Sequence, residues 1–233
     1  MTVVITGASQ GIGRAIALAF SDAYDNAKVV LVARTVDKLE AVADACQERG
    51  ASTMVCPADV TDDDAVSITA ERVVDMWGTP DVLINNAGAF THAPLDELTA
   101  DGFRAQIDVN LTSSFVVTKA FLPLMRDAGA GHVFYTASVA SIQAYPGNAG
   151  YCAGKHGLRG LARVVREETK DEGIRVTTVI PGATLTPTWD GADIEAERLM
   201  PASDIADTVV QAYKLSDRTV MEEVLLRPQK GDV

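Results

Sequence analysis

The sequence predicts an α/β fold in which a doubly wound parallel sheet of about seven strands carries helices on both faces. Three observations lead there. Apolar, β-rich runs alternate with helix-patterned stretches along the whole chain. The runs are hydrophobic on successive residues, as in strands buried on both faces. The first run also passes through closely spaced glycines directly into a helical pattern. In order, the expected strands are Val3 to Thr6, Val29 to Ala33, Met54 to Cys56, Val82 to Asn85, His132 to Ala137 and Val176 to Ile180, with a seventh at Val224 to Arg227. The first helix is expected to begin near Ile12. Thr61-Asp62-Asp63-Asp64 is a strong helix start, because short acidic side chains cap free N–H groups. A stretch rich in Asp, Glu and Ala, around 187–201, interrupts the rhythm and is expected to be a lid-like excursion before the last helix.

The 233 residues, 47 % hydrophobic and 22 % charged, suit a single domain spanning 1–233. No apolar run reaches bilayer length, and the start enters a strand without a basic region or cleavage site, so a cytoplasmic protein is expected. Twenty basic against 32 acidic side chains give a net charge of −12, which opposes non-specific binding to nucleic acid or an anionic membrane. Cys46, Cys56 and Cys152 lack metal or redox spacing and are expected to be reduced packing residues. His92, His132 and His156 are dispersed without a ligand pattern, so no metal site is expected.

Gly7, Gly11 and Gly13 lie where the first strand gives way to the first helix. Missing side chains there permit a tight turn and let a pyrophosphate approach a helix N-terminus. At the end of the second strand a dinucleotide-binding protein selective for NAD would offer a carboxylate to the ribose hydroxyls. This chain has Ala33-Arg34 instead. Nothing repels a 2′-phosphate, and Arg34, assisted by Arg14, supplies a planar cation for it, so NADPH/NADP+ is the expected cofactor. Asp59 and Val60 after the third strand, and Asn86, Ala87 and Gly88 after the fourth, occupy carboxyl ends of strands, where such sheets bind ligands.

Tyr151 and Lys155 stand four residues apart, with Ser138 thirteen positions upstream. On a helix that spacing puts phenol and ammonium on one face. A free tyrosine titrates near pH ~10, and a neighbouring cation favours its ionised form. Lys155 is therefore expected to depress the Tyr151 pKa and make the phenol a usable acid or base.

Together these residues resemble the short-chain dehydrogenase/reductase family, from Thr2 to about Pro187, and so imply a Rossmann-type fold. By that resemblance Asn110, Ser138, Tyr151 and Lys155 form a catalytic tetrad. Tyr151 donates a proton to a substrate carbonyl, Ser138 polarises its oxygen, Lys155 also holds the nicotinamide ribose, and Asn110 supports a water-linked relay. The loop containing Gly7, Ser9, Gln10, Gly11, Ile12 and Gly13 is the implied cofactor cradle. Pro181, Gly182, Thr184 and Thr186 are implied to cover the nicotinamide, although family members often have a branched apolar residue where Thr184 stands. The resemblance further implies a homodimer or homotetramer joined through the helices of Asn110 and Tyr151, with Phe115, Leu122, Leu158 and Leu161 as apolar candidates; the same residues are equally suited to face the sheet.

The C-terminal third, including Pro187-Thr188-Trp189 and Arg218 to Pro228, resembles bacterial sepiapterin reductases. That implies a small-molecule carbonyl substrate, a pterin with a side-chain ketone, on which Trp189 stacks or near which it anchors the excursion. Two alternatives stay open. A 3-oxoacyl thioester reductase, acting on acyl carrier protein or coenzyme A substrates, shares the tetrad and would want a basic docking patch such as Arg159, Arg163 and Arg166. A non-enzymatic NADP-sensing protein shares the fold but has no use for the tetrad.

Overall fold

The computed structural model describes residues 1–232. Among them are the strands β1 (Thr2–Thr6), β2 (Lys28–Ala33), β3 (Ser52–Pro57), β4 (Val82–Asn85), β5 (Gly131–Thr136), β6 (Ile174–Pro181), β7 (Thr184–Leu185), β8 (Met200–Pro201) and β9 (Glu223–Leu226). The helices are α1 (Gly11–Ala23), α2 (Val36–Gln47), α3 (Asp63–Trp77), α4 (Ala100–Ile107), α5 (Ser113–Ala128), α6 (Ala149–Thr169) and α7 (Ala202–Lys214). Seven strands form one sheet in the order β3-β2-β1-β4-β5-β6-β9, every neighbouring pair parallel.

Alternate residues of each strand enter opposite cores, which is why the apolar runs are continuous. Val3, Ile5, Val29, Leu31, Val82 and Ile84 pack with residues of α1, α2 and α7. Val4, Val30, Val32, Leu83, Val133 and Tyr135 pack with residues of α3, α5 and α6. The chain order reverses at β1 and β4, so the crevice between their carboxyl ends is the place this topology provides for a ligand.

Pairing sets strand lengths that residue type alone does not. β3 extends from Ser52 to Pro57 because β2 offers it a full ladder, and β6 begins at Ile174, opposite Gly131 of β5. β9 begins one residue before the expected strand and ends at Leu226, leaving Arg227 outside the ladder. The expected excursion is closed at its base by β7 and β8, which pair Thr184 with Met200 and Leu185 with Pro201. Two short 3₁₀ turns, Pro187–Trp189 and Ala196–Arg198, lie between them. No helix among the described residues is long and apolar enough to cross a membrane.

Candidate active site

A cavity of about 430 Å³ opens at the β1/β4 switch point. Gly7, Gln10, Gly11 and Ile12 line one end, Asn110, Ser138, Tyr151 and Lys155 the centre, and Pro181, Gly182, Thr184, Thr186 and Trp189 the excursion side. All four residues of the expected tetrad thus meet in one space.

Their convergence depends on how α6 is seated. Gly150, Gly154 and Gly157 recur at helical spacing on one face of α6. A Cβ at Gly150 would stand 2.8 Å from Cβ of Gln106, at Gly154 3.0 Å from Cβ of Asn110, and at Gly157 2.6 Å from Leu111 Cδ2. The bare face lets α6 press directly against the chain between α4 and α5. That chain forms a π turn, Asp108–Thr112, with Ser113 N–H donating to the Asp108 carbonyl. Asn110, fully buried in this turn, donates from Nδ2 to the carbonyls of Ala89 (2.8 Å) and Gln106 (3.0 Å). Its Oδ1 is buried without a partner among the described residues. Lys155 Nζ donates to the Thr136 carbonyl at 2.9 Å. A Cβ on Gly88 would stand 2.8 Å from Asn110 Oδ1 and 3.3 Å from Lys155 Nζ, so an acceptor and a donor border the same small space.

The electrostatics correct one expectation. Burial pushes the Tyr151 phenol above the ordinary tyrosine range, and the nearby Ser138 hydroxyl only partly offsets it. Lys155 does not depress it: its ammonium is turned to Thr136 and lies 5.8 Å from the Tyr151 ring centre. Burial instead lowers Lys155 itself to about 8. Tyr151 is therefore protonated at neutral pH and set to act as an acid.

At the other end of the cavity the glycine loop is held from behind. Thr6 Oγ1 accepts from the N–H groups of Asn86 (3.0 Å) and Ala87 (3.1 Å) and donates to the Ile84 carbonyl (3.2 Å). Asn86 Nδ2 donates back to the Thr6 carbonyl at 3.1 Å. Gly13 does not line the cavity; a Cβ there would fall 2.3 Å from the Gly7 carbonyl oxygen, so this glycine permits close packing of α1 beneath the loop. No side chain caps α1, and its first turn contains no acidic residue. Free N–H groups at a helix start beside a glycine loop are the donor set a pyrophosphate needs.

Ser9 is half-buried in the loop, and Ala87 is half-buried against the core on the α3 side of the sheet. Arg34, Asp59 and Val60 lie outside the cavity, at the ends of β2 and β3. The Arg34 side chain is 78 % exposed, with Asp59 Oδ2 4.0 Å away. Asp59 Oδ1 accepts from Thr61 N–H (3.0 Å) and Oγ1 (2.8 Å), bonds that hold its carboxyl below the usual range. Val60 is buried. Arg14 lines an adjoining cleft with Asp22 and Arg49, which shares Gly11, Thr186 and Pro187 with the cavity.

Two aromatic residues of the cavity were not singled out from sequence. Phe90 meets Tyr151 edge-on, with ring centres 5.3 Å apart at 85°. Tyr145 also lines the cavity. Their positions, one just after Asn85-Asn86-Ala87-Gly88 and the other between Ser138 and Tyr151, were the available signal.

Comparison with known proteins agrees with this geometry. The short chain dehydrogenase family model matches residues 1–196. The chain belongs to the short chain dehydrogenase family. It is 39 % identical to a sepiapterin reductase of Chlorobaculum tepidum, over 99 % of this chain and 97 % of the relative. Among solved structures, an alcohol dehydrogenase of the archaeon Thermococcus sibiricus complexed with 5-hydroxy-NADP aligns with a TM-score of 0.90 at 32 % identity, covering 98 % of this chain and 96 % of that one. A metagenomic short-chain oxidoreductase in complex with NADP aligns with a TM-score of 0.87 at 34 % identity, covering 98 % and 97 %.

In this short chain dehydrogenase the arginines considered for carrier docking are already engaged. Arg159 makes two bonds to Glu223 (2.9 and 2.6 Å), Arg163 bonds the same carboxylate at 2.9 Å, and Arg166 bonds Glu222 at 2.7 Å. They sit along the middle and end of α6. Of the expected interface residues, Leu122 and Leu158 are buried in the core and Leu161 packs half-buried against it, while Phe115 is 49 % exposed.

Proposed function

We propose that this NADP-dependent oxidoreductase reduces a ketone, with Tyr151 as proton donor, and that the ketone is the side-chain carbonyl of a pterin. The observation that carries the reaction is the meeting of Tyr151, Ser138, Lys155 and Asn110 in one cavity with the glycine loop. The residues fit the cofactor. The uncapped start of α1 suits its pyrophosphate, with Gly7, Ser9, Gln10, Gly11, Ile12 and Gly13 forming or backing the cradle. Exposed Arg34, with no carboxylate at Ala33, suits a 2′-phosphate. Asp59, Val60, Asn86, Ala87 and Gly88 would flank the adenosine half, and Pro181, Gly182, Thr184 and Thr186 the nicotinamide half.

When bound, NADPH supplies the hydride that goes to the carbonyl carbon. The protein's own work is with the proton. Ser138 donates a hydrogen bond to the carbonyl oxygen and Tyr151, neutral through burial, gives that oxygen its proton. The resulting phenolate is reprotonated through the side of the site formed by Lys155, which is charged at pH 7, and Asn110, whose Oδ1 lacks a donor among the described residues.

The pterin assignment is supported by the 39 % identity to a sepiapterin reductase along nearly the whole chain and by Trp189, half-buried on the cavity wall. Aromatic planes favour flat ring systems. A 3-oxoacyl thioester substrate is less well supported, because the α6 arginines are paired within the chain. The test is NADPH oxidation with sepiapterin, beside an acetoacetyl thioester and a Tyr151→Phe control. General acid catalysis is worth roughly 10²- to 10⁴-fold, so Tyr151→Phe should lose that much turnover while still binding NADPH. Turnover of the thioester alone would replace the pterin reading.

The same proposal includes a single-domain, cytoplasmic enzyme that assembles as a homodimer or homotetramer through the faces of α5 and α6, where Phe115 and Val164 are exposed. A monomeric mass by light scattering at micromolar concentration would refute the assembly.

A further inference from the structure

We infer that Asp232 is a positioning residue for substrate specificity, tying Tyr145 into the cavity wall and joining the loop before α6, the 187–201 excursion and the chain after β9. After β9, Gly231 N–H donates to the Pro228 carbonyl at 2.9 Å. Gly231 sits at φ +85°, a left-handed conformation that glycine adopts without cost. The turn sends Asp232 back to the cavity, which it lines together with Tyr145 and Tyr151.

There the side chains close a ring. Asp232 Oδ2 accepts from Tyr145 Oη and Gln143 Nε2, both at 3.2 Å, and pairs with Arg227. Arg227 donates to Gln143 Oε1 at 2.9 Å, and Gln143 Nε2 donates to Tyr145 Oη. Arg198, from the excursion, donates to the Asp232 backbone carbonyl at 3.5 Å. Gln143 and Tyr145 lie on the stretch between Ser138 and Tyr151, so the ring braces the substrate side of the reacting centre without touching the tetrad. Hydrogen bonds to an ionised group are roughly twice as strong as neutral ones, and burial together with the Asp232 carboxylate keeps the Tyr145 phenol neutral and able to donate. With the carboxylate removed, Tyr145 keeps only the neutral Gln143 and the wall loses its fixed shape.

The inference rests on the carbonyl-reductase reading only for its kinetic half. Asp232→Ala, Asp232→Glu and Gly231→Val would be prepared in the full chain and compared by hydrogen exchange with and without NADPH. Asp232→Ala should speed exchange in 142–148, Gly231→Val in both 142–148 and 187–201, and both should leave β1 and β4 unchanged, with Asp232→Glu closer to the parent. With 2,3-butanedione as probe, KM should rise about tenfold in Asp232→Ala, the loss expected for one bond to a charged group, while kcat stays within about twofold. Unchanged exchange of 142–148 in Asp232→Ala or of 187–201 in Gly231→Val, or a fall in kcat at constant KM, would overturn the inference. Failure of the parent to reduce the probe would count against the functional reading alone, since exchange still decides the role of Asp232.

Discussion

Lys155 Nζ donates to the carbonyl oxygen of Thr136 at 2.9 Å, which makes the ammonium a fixed part of the floor beneath Tyr151. Its burial lowers its pKa to about 8, while the unfolded chain restores about 10.5. Reduction needs Tyr151 protonated and Lys155 charged, so activity should be level near neutrality and fall as pH rises through about 8. Alcohol oxidation needs the phenolate, which burial holds above the ordinary tyrosine range, so it should rise only at pH above about 10. The stability linkage has the matching sign. The depressed Lys155 contributes stability fully present above about 10.5 and lost as pH falls through about 8, on the order of 3 kcal/mol. The difference in unfolding free energy between the parent and Lys155→Met, measured without cofactor, should change across pH 8–10.5. A difference that stays constant there would show Lys155 to be unperturbed.

The seating of α6 gives a second test. At Gly154 an added Cβ would lie 3.0 Å from Cβ of Asn110 and 3.4 Å from the Gln106 carbonyl oxygen, both on well-buried chain. Overpacking of this kind costs typically about 1–3 kcal/mol, or a fall in Tm of roughly 2–4 °C per kcal/mol in a protein of this size. Gly154→Val should lower Tm accordingly in calorimetry, and because the strain falls on the π turn, kcat should drop with it. A variant of normal Tm and kcat would mean that α6 is not held against Asn110 as described.

Cofactor choice is expected to rest on Arg34. The guanidinium is exposed, its nearest acidic partner is 4.0 Å away, and Ala33 beside it has no charge. A hydrogen bond to a charged partner is worth about 1.5–3 kcal/mol, so Arg34→Ala should weaken NADPH about 10- to 100-fold and leave NADH nearly unaffected. Titration of both cofactors by fluorescence measures this directly. Equal losses for the two would assign Arg34 a structural role.

Much of this arrangement was legible in the residues, and what was not has physical causes. Continuous apolar runs revealed the sheet, because parallel strands bury both faces, and the Tyr151 and Lys155 spacing carried the site because four residues make about one helical turn. The pKa relationship is not legible in the sequence, because spacing fixes a shared face but not the ammonium's direction, which the Thr136 carbonyl decides. The role of Gly150, Gly154 and Gly157 depends on what α6 meets, and only the fold supplies Gln106, Asn110 and Leu111 as neighbours. Arg159, Arg163 and Arg166 looked like a free basic face because Glu222 and Glu223, their partners, stand more than fifty positions away in the chain.

Those pairs also anchor the sheet edge. Glu223 begins β9 and accepts from both Arg159 and Arg163, so one carboxylate clamps the edge strand to the helix that carries Tyr151. Its side chain is 27 % exposed and that of Arg159 24 %, intermediate between a solvated pair and a buried one. Exposed pairs contribute about 0–1 kcal/mol and breaking buried ones costs about 3–5. Glu223→Gln is therefore expected to destabilise the protein by about 1–2 kcal/mol in urea titration at pH 7, with kcat little changed because the tetrad is untouched. The two arginines' bonds hold the Glu223 carboxyl below the usual carboxylate range. Its contribution is then present above the ordinary glutamate pKa and lost as pH falls through the lowered one, so parent and variant should converge in stability in acid. Parent and variant that keep the same separation down to pH 3 would place the clamp's strength in packing rather than charge.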